Sequence, residues 1–140
     1  MGAQTRKSAQ SAMFIARLDA LRRITAFVEA YCAAAAIPRS SALRLNLVLE
    51  ELFVNTVRHG HRGDCDQPVW ITLQQDGATV EVTYEDTGPP FNPYAHVERS
   101  AAREGGKIGG LGVLLTQELA ANRDYAYIFG RNRIRLGLAL

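Results

Sequence analysis

The chain has 140 residues, 47% of them hydrophobic and 21% charged, with a net charge of +2. That length can bury a substantial core, and the balance excludes a disordered chain and a membrane class, since no apolar run reaches the roughly 18–20 residues that a bilayer span needs. So small a charge gives no reason to expect direct nucleic-acid binding, and Cys32 and Cys65, without metal-ligand spacing, read as reduced thiols of a cytoplasmic protein.

Residues 1–11 are small and polar and lack the apolar stretch of a signal peptide, so they are expected to form a flexible N-terminus ahead of one domain over 12–140. Met13-Phe14-Ile15-Ala16 reads as a short strand. From Asp19 the residues Leu21, Ile24, Val28 and Tyr31 recur at helical spacing, and Pro38 stops the pattern. Ser40 or Ser41 is expected to cap a second helix with Leu43, Leu47, Leu52, Phe53 and Val54 as apolar positions, running to about His59 before Gly60 and Gly63 end it. Val69, Ile71 and Leu73 alternate with Trp70, Thr72 and Gln74, and Val80, Val82 and Tyr84 repeat the alternation after Asp76-Gly77. That is the signature of a hairpin closed by a type I′ turn. Residues 86–108, with three prolines and three glycines, predict a long loop of the kind that serves as a lid. A helix is expected from about Gly110 to Ala121, and residues 125–129 and 133–140 form a second hairpin around Gly130-Arg131-Asn132. Paired strands exclude a repeating βαβ unit. The expected fold class is therefore α/β, a two-layer sandwich with a mixed, mostly antiparallel sheet and helices on one face.

Three segments carry candidate chemistry. Glu51, Asn55 and His59 recur at i, i+4 and i+8, so they line one stripe of the second helix. Asn55 suits a phosphate-bound Mg²⁺, which prefers oxygen ligands, and Glu51 is left to handle a water or hydroxyl proton; a solvated helix face is the structural alternative. Asp86-Thr87-Gly88-Pro89-Pro90 ends a strand in a turn. A buried Asp86 can accept a hydrogen bond from an exocyclic amine such as that of adenine, and Gly88 lets a ligand approach the backbone, although an ordinary turn has the same composition. Gly105-Gly106-Lys107-Ile108-Gly109-Gly110-Leu111-Gly112 precedes an apolar run, and the N–H groups at such a helix start can bind phosphate. The segment lacks the Walker A lysine spacing, and no strand precedes it as the dinucleotide fingerprint requires. Arg131, Arg133 and Arg135 alternate on the last strand, where a solvated face explains them as well as an acidic partner or nucleic acid does. His59 and His61 read as isolated histidines.

With these segments in view, the chain resembles the GHKL ATPase superfamily, which shares the Bergerat ATP-binding fold, and within it the anti-sigma-factor serine-protein kinases of the RsbW type. L-V-L-E-E-L-F-V-N-T-V-R-H-G (47–60) looks like the family's N-box, D-T-G-P-P-F-N-P (86–93) like its G1 box and G-G-L-G-V-L-L (109–115) like its G2 box. Residues 125–136 look like its closing hairpin. The resemblance implies ATP and Mg²⁺ as cofactors, with Glu51 as general base and Asn55 as the Mg²⁺ ligand. It implies that Asp86 and Gly88 meet the adenine, that Gly110, Leu111 and Gly112 lie near the phosphates, and that 92–108 form a lid. Lys107 or Arg103 supplies positive charge to the γ-phosphate. It further implies serine/threonine-protein kinase activity toward an STAS-like anti-sigma-factor antagonist, a sigma factor as second partner, and a homodimer. Ala121 and Asn122 depart from the acidic residue many relatives carry there. Residues 1–38 hold no phosphoacceptor histidine, so a complete sensor histidine kinase is not expected in this chain, whereas a detached catalytic domain is compatible with it. A non-catalytic nucleotide-binding module acting by protein contact alone, and an ATPase-driven clamp, are the other readings.

Overall fold

Alternation of apolar and polar residues builds the sheet, and helical spacing builds the layer that covers it. The computed structural model describes residues 8–95 and 119–140, with backbone alone for 119–122. In chain order it contains β1 (Gln10–Ile15), a 3-10 turn (Leu18–Ala20), α1 (Leu21–Ala34), α2 (Arg39–Asn55) continued by a π turn (Thr56–Gly60), β2 (Pro68–Asp76), β3 (Thr79–Asp86), β4 (Leu119–Ile128) and β5 (Arg131–Ala139). The strands lie in the order β1-β2-β3-β5-β4, and every neighbouring pair is antiparallel. The expected two-layer α/β sandwich is what forms, with a sheet that is antiparallel throughout the described residues rather than mixed.

One face of the sheet presents Phe14, Val69, Ile71, Leu73, Val82, Tyr84, Ile134, Leu136 and Leu138 to the helices, in a single buried cluster with Ile24 and Val28 of α1 and Leu45, Val48, Leu49, Leu52 and Phe53 of α2. Each such aliphatic side chain contributes roughly 1.5–3 kcal/mol through removal from water. The opposite face carries Met13, Ile15, Trp70, Glu85 and the arginines of β5. There the Arg131 guanidinium lies 3.7 Å above the Trp70 ring and 3.7 Å from Glu85, so this arginine is held within the chain. Among the described residues no helix is long and apolar enough to cross a membrane. Cys32 and Cys65 are free thiols, and burial pushes the Cys32 thiol up.

Several local expectations are corrected. Neither Ser40 nor Ser41 caps α2: the helix starts directly after Pro38, whose carbonyl accepts the Ser41 and Ala42 N–H groups at 3.1 and 3.0 Å. Proline's fixed φ lets the chain turn into the helix at once, which moves Ser41 inside and buries it. The buried stripe also differs from the expected one. Leu43 and Leu47 are exposed, Val54 is half-buried, and Leu45, Val48 and Leu49 take the core positions alongside Leu52 and Phe53. α1 ends as a Schellman motif without glycine. Ala36 takes φ 56°, its N–H reaches the Ala33 carbonyl, and the Ile37 N–H reaches that of Cys32 at 2.9 Å.

The β2–β3 turn pairs Asp76 with Thr79 around Gly77-Ala78. Only Gly77 has positive φ, which is the pattern of a type II′ turn rather than I′. The last hairpin turns on Phe129-Gly130, both at positive φ, instead of on Gly130-Arg131-Asn132, and Arg131 and Asn132 belong to β5. Residues 119–121, expected to finish a helix, open β4; the remainder of that helix lies outside the described residues.

Candidate functional site

The carboxyl end of β3, the amino end of β5 and the far end of α2 converge on a cavity of about 330 Å³. Its lining runs from Leu52, Asn55, Thr56, His59 and Gly60 to Tyr84, Asp86, Gly88, the Pro89-Pro90-Phe91 turn, Asn132 and Ile134. The π turn widens the last helical turn, a distortion frequent at functional sites, and Thr56, His59 and Gly60 in it reach the cavity wall. A second cavity of about 400 Å³ lies between β1 and α1, but its walls are Phe27, Tyr31, three alanines and the polar Ser8 and Gln10. It offers no charged group.

Asp86 anchors the first cavity. It ends the inward-facing series of β3, 8% exposed, at a position that alternation would otherwise give to an apolar side chain. Its Oδ1 accepts the Gly88 N–H at 3.1 Å and an Asn132 N–H at 2.9 Å, and its Oδ2 accepts the Thr56 hydroxyl at 2.7 Å. Thr56 Oγ1 lies 2.6 Å from the Tyr84 hydroxyl. Each hydroxyl has one proton, so Tyr84 donates to Thr56 while Thr56 donates to Asp86, and the Leu52 carbonyl, 3.0 Å from Thr56, already takes the backbone N–H of Thr56. Complete burial, and secondarily the charge of Asp86, hold the Tyr84 phenol well above its ordinary range against the opposing Thr56 bond, so it remains a donor.

A carboxylate offers about four acceptor sites, and among the described residues three of those on Asp86 are filled. The remaining one is on Oδ2. A buried carboxylate with an open acceptor site costs free energy unless a donor meets it. Gly88 supports the same reading. It has no positive φ, and a Cβ built on it would make only ordinary contacts, 3.5 Å from the Gly60 Cα and 3.6 Å from Asp86 Oδ1. Neither backbone conformation nor internal packing requires glycine there, which leaves room for a ligand at the cavity wall as the reason for it. With apolar walls from Leu52, Ile134 and Phe91, these groups fit a flat ring that bears an amino donor.

Of the residues singled out by sequence, the structure brings Asn55, Asp86 and Gly88 together at one cavity, with His59 beside them. Glu51 stands one turn back along α2, half-buried, and does not line the cavity formed by the described residues. Lys107, Gly110, Leu111 and Gly112 lie outside the described residues, as do Arg103 and most of the expected lid. The described residues contain no cluster of three or more His, Cys, Asp or Glu side chains that could hold a metal by themselves. A Mg²⁺ at Asn55 fits as an ion held mainly by phosphate oxygens and water, the mode in which Mg²⁺ is usually bound.

Sequence reasoning missed Thr56, Tyr84 and Asn132. Asn132 had a legible signal: β5 places Ile134, Leu136 and Leu138 inward, and Asn132 falls on the same period as a lone amide. Thr56 had none, because its role depends on β3 crossing the end of α2.

The fold and the cavity define a domain with an open site at the end of an antiparallel sheet, beneath a helix. The chain belongs to the histidine kinase-like ATPase domain family, whose model matches residues 14–137. A solved structure of the RsbU and RsbW domains of Rv1364c from Mycobacterium tuberculosis is similar in fold, with a TM-score of 0.63 and 18% sequence identity over 96% of this chain. The present chain spans 33% of that one. A search of curated proteins finds no match.

Proposed function

We infer that this domain binds Mg-ATP and transfers its γ-phosphoryl group to a serine or threonine of a small STAS-like antagonist protein, and that it holds a sigma factor until that antagonist competes. The observation that carries the nucleotide reading is the buried Asp86 carboxylate in the cavity wall, with one acceptor site on Oδ2 unfilled among the described residues. Adenine offers the matching amino donor. Family membership supports ATP as the ligand, and the likeness in fold to a chain containing an RsbW domain supports the anti-sigma assignment.

Asp86 and Gly88 receive the base, Leu52 and Ile134 exclude water from its faces, and Asn55 faces the phosphate side as an oxygen donor. Asn55 would hold Mg²⁺ there, and the ion would supply the neutralisation of phosphate charge that phosphoryl transfer mainly requires. Gly110, Leu111 and Gly112 supply backbone N–H groups to the phosphates, and Lys107 a cation. Glu51 accepts the proton of the attacking hydroxyl. The partner assignments, with a homodimer as the working assembly in the cytoplasm, rest on the resemblance.

One observation favours a second reading. Glu51 does not line the described cavity, as a binding module that acts by protein contact alone allows. Calorimetry with ATP and ADP, with and without Mg²⁺, tests the pocket: saturable binding lost in Asp86→Ala is expected, and no binding by wild type at millimolar nucleotide overturns the reading. Phosphotransfer by Glu51→Ala then separates the two functions. A kinase loses transfer and keeps ATP, whereas a wild type that transfers nothing to any serine-bearing antagonist leaves the binding module.

A further inference from the structure

Asn132 is 3% exposed and uses its whole amide. Its Nδ2 reaches Asp86 Oδ1 at 2.9 Å, the Gly88 carbonyl at 3.1 Å and the Pro89 carbonyl at 2.9 Å. Its Oδ1 accepts the Phe91 N–H at 2.9 Å and the Tyr125 hydroxyl at 2.5 Å. One side chain of β5 therefore ties down both the carboxylate at the end of β3 and the backbone of the turn from Gly88 to Phe91. Without it, Asp86 Oδ1 would keep only the Gly88 N–H while Oδ2 kept the Thr56 hydroxyl, so each oxygen would have an open acceptor site and the carboxylate one donor fewer to hold it. Whether one oxygen or both offer a free acceptor site therefore depends on the Nδ2 donor of Asn132.

We propose that Asn132 is a positioning residue for base recognition, acting through Asp86: its donors fix Oδ1 in the wall and leave Oδ2 as the single acceptor that the bound base meets. This inference rests on the nucleotide reading given above. It requires donors at Asn132, not merely a polar side chain of the right size. Asn132→Asp separates those two requirements, because it keeps the shape and the acceptor toward Phe91 and Tyr125 but turns the other atom into an acceptor. That atom then faces Asp86 Oδ1 and two carbonyls. Two carboxylates so close cannot both ionise cheaply, and a shared proton restores the missing donor.

The titratable groups around this position are Asp86 and Tyr84 from β3, Tyr125 and Tyr127 from β4, and His59 from the π turn. Groups common to both proteins cancel in the ratio of variant to wild-type ATP dissociation constants, so that ratio is the readout. For Asn132→Asp, circular dichroism monitors folding while ATP is titrated at pH 8 and pH 5.5. The expected ratio is about tenfold or more at pH 8, falling by at least about threefold at pH 5.5 as the shared proton returns. A ratio near one at both pH values, or an equal loss at both with the fold intact, overturns the proposal. Should Asn132→Asp not fold, Tyr125→Phe gives the answer: removing the hydroxyl that orients Asn132 is expected to weaken ATP by about threefold, and unchanged affinity overturns it. Failure of wild type to bind ATP removes the nucleotide reading itself, and is distinguished from failure of this inference by that control.

Discussion

Replacing Thr56 by valine preserves side-chain volume and deletes one oxygen from the buried chain that joins Tyr84 to Asp86. Two bonds disappear, the 2.7 Å donation to Asp86 Oδ2 and the 2.6 Å acceptance from Tyr84. They are unequal. The Tyr84 hydroxyl can turn to the Leu52 carbonyl, 3.3 Å away, so its loss is partly compensated. Asp86 Oδ2 has no second donor among its bonds within the described residues, and a hydrogen bond to a charged acceptor is worth about 1.5–3 kcal/mol. We therefore expect Thr56→Val to lose about 2–4 kcal/mol, which for a chain of this length lowers Tm by roughly 6–16 °C. Urea unfolding followed by the fluorescence of Trp70, the sole tryptophan, measures it directly. Thr56→Ser is the control. It keeps the hydroxyl and gives up only a methyl group, at a cost of about 1 kcal/mol. A Thr56→Val protein within about 0.5 kcal/mol of wild type, the range of neutral surface changes, refutes the assignment of Thr56 as the donor that Asp86 depends on.

Two further predictions concern stability alone. Phe129 is 98% exposed with φ 52°, a conformation that costs a bulky residue about 1–2 kcal/mol and that asparagine tolerates, so Phe129→Asn is expected to raise stability by about 1 kcal/mol. Unchanged or lower resistance to urea would mean that the ring packs against something. The buried Tyr94 phenol donates to the Arg135 carbonyl at 2.6 Å, and burial pushes its pKa up to about 12 despite the opposing charge of Arg123. The folded state holds this proton more tightly than the unfolded chain. Its contribution is therefore intact below pH 10 and is lost between pH 10 and about 12, by about 2–3 kcal/mol. Tyr94→Phe should flatten that part of the stability curve, and an unaltered slope would contradict the reasoning.

The sequence by itself determined the elements whose pattern is local. The alternation of β2 and β3 defined a hairpin, the spacing of Ile24, Val28 and Tyr31 defined the buried face of α1, and the acidic turn after β3 defined a candidate ligand contact. These follow from side-chain periodicity and turn chemistry, which act over a few residues. Helix phase was less secure. A serine after a proline looks like a cap, but the helix begins directly after the proline. Of the leucines on α2, packing against the sheet buries Leu45 and Leu49, with Val48, rather than Leu43 and Leu47.

What only the tertiary structure decided is the wiring of the candidate site. Residues 56, 84, 86 and 132 meet because the end of α2 packs over β3 and because β5 inserts between β3 and β4, an order that no local pattern encodes. The free energy of a buried carboxylate depends on who donates to it. Two of its three donors, Thr56 and Asn132, stand 30 and 46 residues away in the chain, so Asp86 and its neighbour Gly88 could be named from the sequence, but those two partners could not.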